Sequence, residues 1–137
     1  MPEETHIPIR AESDILQARQ KGREMASSMG FAGVELTLIT TAISEISRNI
    51  VKYAGEGDIV FWQVDMGSNQ GLVIQARDQG PGIPDLVAAM QDGFSTGNGL
   101  GLGLPGARRL MDDFEIQSQL GKGTVVTLTK WRRPRPQ

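Results

Sequence analysis

The stretch that most narrows what this chain can become is Asp78-Gln79-Gly80-Pro81-Gly82 and the glycine ladder after it, Gly97-Asn98-Gly99-Leu100-Gly101-Leu102-Gly103-Leu104. Glycine lacks a Cβ, so it tolerates positive φ and lets a ligand approach the main chain closely. Glycines at every second position leave a strip of backbone N–H groups able to cradle an anion such as phosphate. Leu102 to Met111 reads as a helix, whose free N-terminal N–H groups would face the same anion. Taken by itself, the run also fits a surface loop. Two familiar phosphate loops do not fit it. Gly121-Lys122 is followed by Gly123, not by the Ser or Thr of a Walker A loop. A dinucleotide fingerprint comes directly off a strand, whereas this ladder follows polar Gly93-Phe94-Ser95-Thr96. Asp92-Gly93-Phe94 is not the Asp-Phe-Gly of eukaryotic-type kinases, and no VAIK or HRD element accompanies it. A phosphate site here belongs to a different nucleotide fold.

Composition removes other classes. With 137 residues, 39% hydrophobic and 22% charged, the expectation is one globular domain spanning 1–137 with a real core. A net charge of −2 gives no electrostatic case for nucleic acid. No signal peptide and no membrane-length apolar run are visible, so no membrane partner is expected. The absence of cysteine excludes disulfides and thiolate chemistry and suits a cytoplasmic setting. The one histidine, His6, has no second histidine nearby and reads as structural.

Periodicity supplies the elements. His6 to Ala11 alternates like a short strand. A helix is expected from Ser13, as N-cap, through Ile15, Leu16, Ala18 and Met25 to Gly30 at C′. A second helix runs from about Val34 to Ala54 and stops at Gly55. Asp58 to Asp65 and Leu72 to Arg77 read as strands joined across Gly67–Gly71. Pro84 to Gln91 reads as a short helix with an early proline. After the ladder helix come strands Phe114 to Gln119 and Thr124 to Thr129, joined by Leu120-Gly121-Lys122-Gly123. Lys130 to Gln137 is basic and proline-rich and reads as a frayed end.

The second helix carries chemistry as well as packing. Leu36, Ile39, Ile43, Ile46 and Ile50 have the spacing of a buried stripe. Thr41, Glu45, Arg48, Asn49 and Lys52 fall on roughly the opposite side. Glu45 and Asn49 stand one turn apart. This face is either solvated or the wall of a pocket in which Asn49 offers an oxygen to a metal and Glu45 acts as a base. Asp78, at a strand end, is either a turn former or an acceptor for a ligand amine.

The ordered set Glu45-x-x-x-Asn49, Asp78-x-Gly80-x-Gly82, Gly99-Leu100-Gly101-Leu102-Gly103 and Gly123-Thr124 resembles the Bergerat ATP-binding fold of the GHKL superfamily, over nearly the whole chain. That resemblance implies an α+β, two-layer α/β sandwich: a mixed, largely antiparallel sheet covered on one face by helices. It implies that Asp78 hydrogen-bonds the adenine amino group, with Thr124 helping through a water. Gly80 and Gly82 would let the base lie against the backbone. Asn49 would hold Mg²⁺ on ATP, and Glu45 would be the general base. Gly97, Gly99, Leu100, Gly101, Leu102 and Gly103 would form the end of the ATP lid and bind the phosphates.

Within the superfamily, gyrase, Hsp90 and MutL need further domains, and sensor histidine kinases need a helix pair bearing a phospho-acceptor histidine. The expectation is therefore the stand-alone bacterial serine/threonine kinases related to anti-sigma factors. Thr40 to Ile50, Asp92 to Thr96 and Gly99 to Gly106 resemble the RsbT-type switch kinases of the stressosome. The Gly93–Asn98 lid is short and has no basic residue, unlike that of the sequestering anti-sigma kinases. The resemblance implies STAS-domain scaffold and antagonist proteins as substrates. It also implies a downstream output enzyme, commonly a PP2C-type phosphatase, switched on by the released kinase. The other reading is an anti-sigma factor or nucleotide-gated binding module without phosphotransfer.

Overall fold

The computed structural model describes residues 3–80 and 103–132. In chain order the elements are β1 (Thr5–Ile9), α1 (Glu12–Ser28), α2 (Val34–Tyr53), β2 (Gly57–Met66), β3 (Asn69–Asp78), α3 (Gly103–Leu110), β4 (Asp113–Gln119) and β5 (Gly123–Arg132). The strands form one sheet in the order β1-β2-β3-β5-β4. Each of the four pairings among the described residues is antiparallel.

Alternation along the strands sends one set of side chains toward the helices. Ile59 and Phe61 of β2, Leu72, Ile74 and Ala76 of β3, and Val126 and Leu128 of β5 join one buried cluster. Ala18 and Ala26 of α1, Ile39, Ile43, Ile46 and Ile50 of α2, and Leu104 and Ala107 of α3 complete it. This is the two-layer sandwich expected from the sequence. No described helix packs on the other face, which carries a chain of polar contacts instead. Glu4 meets His6 at 3.0 Å and Arg77 at 3.8 Å. Arg77 donates to Gln75, and Gln75 donates to the Thr127 hydroxyl at 2.9 Å. Val60 pairs with both His6 and Gln75 in register, and it is fully buried although no described helix covers it. His6 is thus part of this polar chain, in keeping with a structural role.

Several boundaries differ from the sequence reading, each for a local reason. The N-cap of α1 is Ala11, not Ser13. Ala11 has no side-chain acceptor, so Asp14 reaches back, its Oδ2 accepting from the Arg10 and Ala11 amides at 2.8 and 3.1 Å. Gly30 follows the C-cap Met29 with φ +100°, as a C′ glycine does. The β2–β3 connection is only Gly67-Ser68, because Asn69, Gln70 and Gly71 already pair with Met66, Asp65 and Val64. The expected frayed end does not begin at Lys130: β5 continues through Lys130, Trp131 and Arg132, paired with Leu72, Gly71 and Gln70. Asp112 holds that extension, accepting from the Trp131 amide at 2.7 Å and meeting Lys130 Nζ at 3.7 Å. The Pro84–Gln91 helix and the Gly93–Asn98 lid lie outside the described residues.

Candidate functional site

At one end of the sheet the helix-facing row changes from apolar to polar. Below Ala76 and Val126 the next row is Gly57, Asp78, Thr124 and Ser118, paired in register across β2, β3, β5 and β4. Antiparallel pairing puts their side-chain positions on one face, about 5 Å apart strand to strand. Asp78 Oδ1 accepts two backbone N–H groups, from Gly80 at 2.9 Å and from Thr124 at 3.3 Å. Two donors on one oxygen fix the carboxylate plane, while Oδ2 has no hydrogen bond among the described residues. Asp78 is therefore a turn former, one of the two readings the sequence left open, with its second oxygen beside the cleft that Asp78 helps to line.

Two glycines allow this arrangement. Gly123 has φ +116°, and a Cβ there would collide with the Asp78 carbonyl oxygen. Only glycine takes that conformation without strain, and only it lets the two strands meet so closely. A Cβ on Gly80 would lie 2.6 Å from the Ala54 methyl carbon. Ala54 is the C-cap of α2, so this contact seats the end of the helix directly on the Asp78 turn. Beside the row lies a cleft of about 410 Å³, with Asp78, Ser118, Lys122, Gly123 and Thr124 among its walls. That volume falls within the range of small-molecule sites.

Thr124 is 5% exposed, and its hydroxyl meets the Ser118 hydroxyl at 2.9 Å. Ser118 also approaches the Gly123 carbonyl oxygen at 3.4 Å. The sequence reading missed Ser118. Its signal was the tight β4–β5 turn, closed by Lys122 N–H donating to Gln119 at 2.9 Å, which sets Ser118 opposite Thr124.

On α2, Glu45 is 6% exposed and lies 3.8 Å from Arg48, while Asn49 is half-buried one turn on. The buried arc of α2 is therefore wider than the isoleucine stripe, since Ala42, Glu45 and Ser47 belong to it. The Asn49 amide has no hydrogen bond among the described residues. The structure thus brings Asp78, Gly80 and Thr124 together. Glu45 and Asn49 stand on the helix that ends against Gly80 but do not line the cleft. Gly103 opens α3, where Pro105 occupies the first turn and its missing N–H costs no helical bond. Gly82, Gly97, Gly99, Leu100, Gly101 and Leu102 lie outside the described residues. The described residues contain no group of three or more His, Asp or Glu side chains that could hold a metal ion. They also contain no helix long and apolar enough to cross a membrane.

Residues 34–134 match the family of histidine kinase-, DNA gyrase B- and HSP90-like ATPases. The serine/threonine-protein kinase RsbT of Bacillus subtilis is 51% identical over 97% of this chain and all of its own length. The chain belongs to the histidine kinase-, DNA gyrase B- and HSP90-like ATPases, in their RsbT-type branch. An anti-sigma F factor of Thermoanaerobacter is 34% identical over 71% of each chain. Among solved structures, one of RsbU and RsbW domains from Mycobacterium tuberculosis superposes with TM-score 0.62 at 22% identity. That match covers 97% of this chain and 34% of the longer one. A mycobacterial sensor histidine kinase, MprB, superposes with TM-score 0.52 at 16% identity, covering 98% of this chain and all of that one. At such identities these two structures speak for the fold, the α+β architecture of this ATPase family.

Proposed function

We propose that this chain is an ATP-dependent protein serine/threonine kinase that works by switching partners. The observation that carries the reading is the Asp78 carboxylate, with one oxygen tied by two backbone donors and the other presented beside a cleft. An adenine amino group is the donor such an acceptor suits, and Thr124 next to it would reach the ring through a water. Gly80 and Gly82 would let the base lie on the main chain. Family membership and the B. subtilis relative support ATP as the phosphate donor.

The phosphates would extend from the base toward α2 and the start of α3. Gly97, Gly99, Leu100, Gly101, Leu102 and Gly103 would offer N–H groups to them. Asn49 fits a magnesium site: its amide is uncommitted among the described residues, and Mg²⁺ takes few protein ligands, filling its shell with phosphate oxygens and water. When bound, that ion supplies neutralisation of the charge on the phosphoryl oxygens. Glu45 would accept the proton of a serine or threonine hydroxyl on the protein substrate. The hydroxyl oxygen bonds to the γ-phosphorus as the bond to the β-phosphate bridging oxygen breaks, and ADP leaves. Arg48 lies 3.8 Å from the Glu45 carboxylate and would help orient it.

The substrates would be STAS-domain scaffold and antagonist proteins, and the released kinase would activate an output enzyme such as a PP2C-type phosphatase, in the cytoplasm. The test is to mix the purified chain with a STAS-domain partner and γ-labelled ATP. Label on a serine or threonine of the partner supports the reading. A stable nucleotide-dependent complex without transfer would instead make the chain a nucleotide-gated binding module, as the similarity to anti-sigma F factors allows.

A further inference from the structure

We infer that the open face of the sheet docks a second protein through its two tryptophans, and that this partner is the output enzyme, presenting apolar side chains beside basic ones. The inference rests on the partner-switching reading of this chain and deepens it. The chain has two tryptophans, and both stand on the face that no described helix covers. One transverse row of that face runs Trp62, Val73 and Thr129, and the next runs Val64, Gly71 and Trp131. A Cβ on Gly71 would lie 2.9 Å from the Trp131 ring and 3.0 Å from a Val64 methyl. Glycine there lets the indole lie flat on the sheet toward Val64, while its Nε1 donates to Asp113 Oδ2 at 2.7 Å. The ring is thus fixed before any partner arrives, and an aromatic anchor held this way loses little freedom on binding. Both indoles keep part of their surface exposed, and Met66, at the end of the same face, is 66% exposed. Tryptophan is among the residue types in which binding energy concentrates.

Charge and position identify the occupant. On the β4 side of the patch stand Asp113, paired with Thr129, and Glu115, paired with Thr127. Neither carboxylate has an ion pair among the described residues, so a partner with Lys or Arg beside its apolar centre complements them. The cations of this face, His6 and Arg77, are already engaged with Glu4, so a second copy packed face to face has none to offer. An anionic membrane surface or a nucleic acid would meet like charge. A phosphorylation substrate is excluded by place. Its hydroxyl has to reach Glu45, and α2 packs on the opposite face of the sheet. A protein on the tryptophan face is therefore held without being phosphorylated, which is the relation of an output enzyme to this kinase.

The experiment uses the full chain with fluorotryptophan incorporated, so that its two tryptophans give the only fluorine signals. Both signals should change chemical shift when the PP2C-type phosphatase is added, and neither should when a STAS-domain substrate is added. Calorimetry with the phosphatase then compares wild type, Trp62→Ala and Glu115→Lys, with melting temperature, ATP affinity and phosphate transfer to the STAS partner alongside. Trp62→Ala should bind the phosphatase at least about 30-fold more weakly, as loss of a central aromatic anchor does. Glu115→Lys, a change on an exposed side chain, should weaken it about fivefold and flatten its salt dependence. ATP affinity and transfer should match wild type in both. Wild-type phosphatase affinity in both variants overturns the inference, as does a wild-type chain that does not bind the phosphatase. A lower melting temperature with unchanged phosphatase affinity would make the tryptophans sheet packing alone. A raised KM for the STAS partner in Trp62→Ala would give the face to the substrate, and a dimer of the free chain that Trp62→Ala dissociates would give it to a second copy; either overturns the inference. Should Trp62→Ala fail to fold, Glu115→Lys decides. If wild type binds the phosphatase through this face but transfers no phosphate, the kinase reading falls and the docking face stands.

Discussion

Asp78→Asn separates recognition from folding at a single atom. In the structure Oδ1 is held by the Gly80 and Thr124 N–H groups, at 2.9 and 3.3 Å. An asparagine in the same rotamer keeps those two bonds only if its carbonyl oxygen takes the Oδ1 position. Its NH2 group then stands where Oδ2 was and confronts the adenine amino group, donor against donor. Losing a hydrogen bond to a charged acceptor costs about 1.5–3 kcal/mol. At 1.4 kcal/mol per tenfold, ATP affinity should fall by about 10- to 150-fold. The fold should survive, because both backbone donors keep a partner. They exchange a charged acceptor for a neutral one, which costs less than about 1 kcal/mol and lowers Tm by a few degrees. ITP, whose 6-oxygen accepts from the new NH2, should bind the variant better than it binds wild type. Calorimetry with both nucleotides and a thermal melt measure all three quantities. Wild-type ATP affinity in a folded Asp78→Asn would refute the assignment. So would an ATP loss with no gain for ITP, since that would place the effect on the turn instead of the base.

Glu45→Ala should slow phosphate transfer by roughly 10²–10⁴-fold with ATP affinity nearly unchanged, as a general base requires; normal transfer in single-turnover assays would make Glu45 a packing residue of α2. Gly123→Ala sets a Cβ against the Asp78 carbonyl oxygen at φ +116°, so it should destabilise the chain by about 2 kcal/mol or more and weaken ATP binding with it; a melt indistinguishable from wild type would contradict the close approach of β3 and β5. Ser47 is fully buried, and its hydroxyl has no hydrogen-bond partner among the described residues. Ser47→Ala removes that desolvated group and improves helix propensity, so denaturant unfolding should show a gain of about 0.5–1 kcal/mol; a loss would show that the hydroxyl is needed.

The sequence by itself determined the local chemistry. Asp78-x-Gly80 and Gly123-Thr124 are short motifs whose residue types answer to backbone conformation and close approach within a few residues. The Ile39, Ile43, Ile46 and Ile50 stripe marked the face of α2 that meets the sheet, because helical periodicity is a local property. Tertiary structure decided what those pieces do to one another. Asp78 and Thr124 are far apart in the chain, and it is the β3–β5 register that ties the Thr124 amide to Oδ1. Hairpin pairing recruited Ser118, which carries no motif of its own, by placing it across from Thr124. Burial of Glu45 followed from how deeply α2 settles between sheet and neighbouring helices, which periodicity does not specify. Trp131 and Arg132 read as a frayed end because their composition is that of a tail. They are strand because Gly71 and Gln70 pair with them and Asp112 receives the Trp131 amide, partners that only the folded sheet brings within reach.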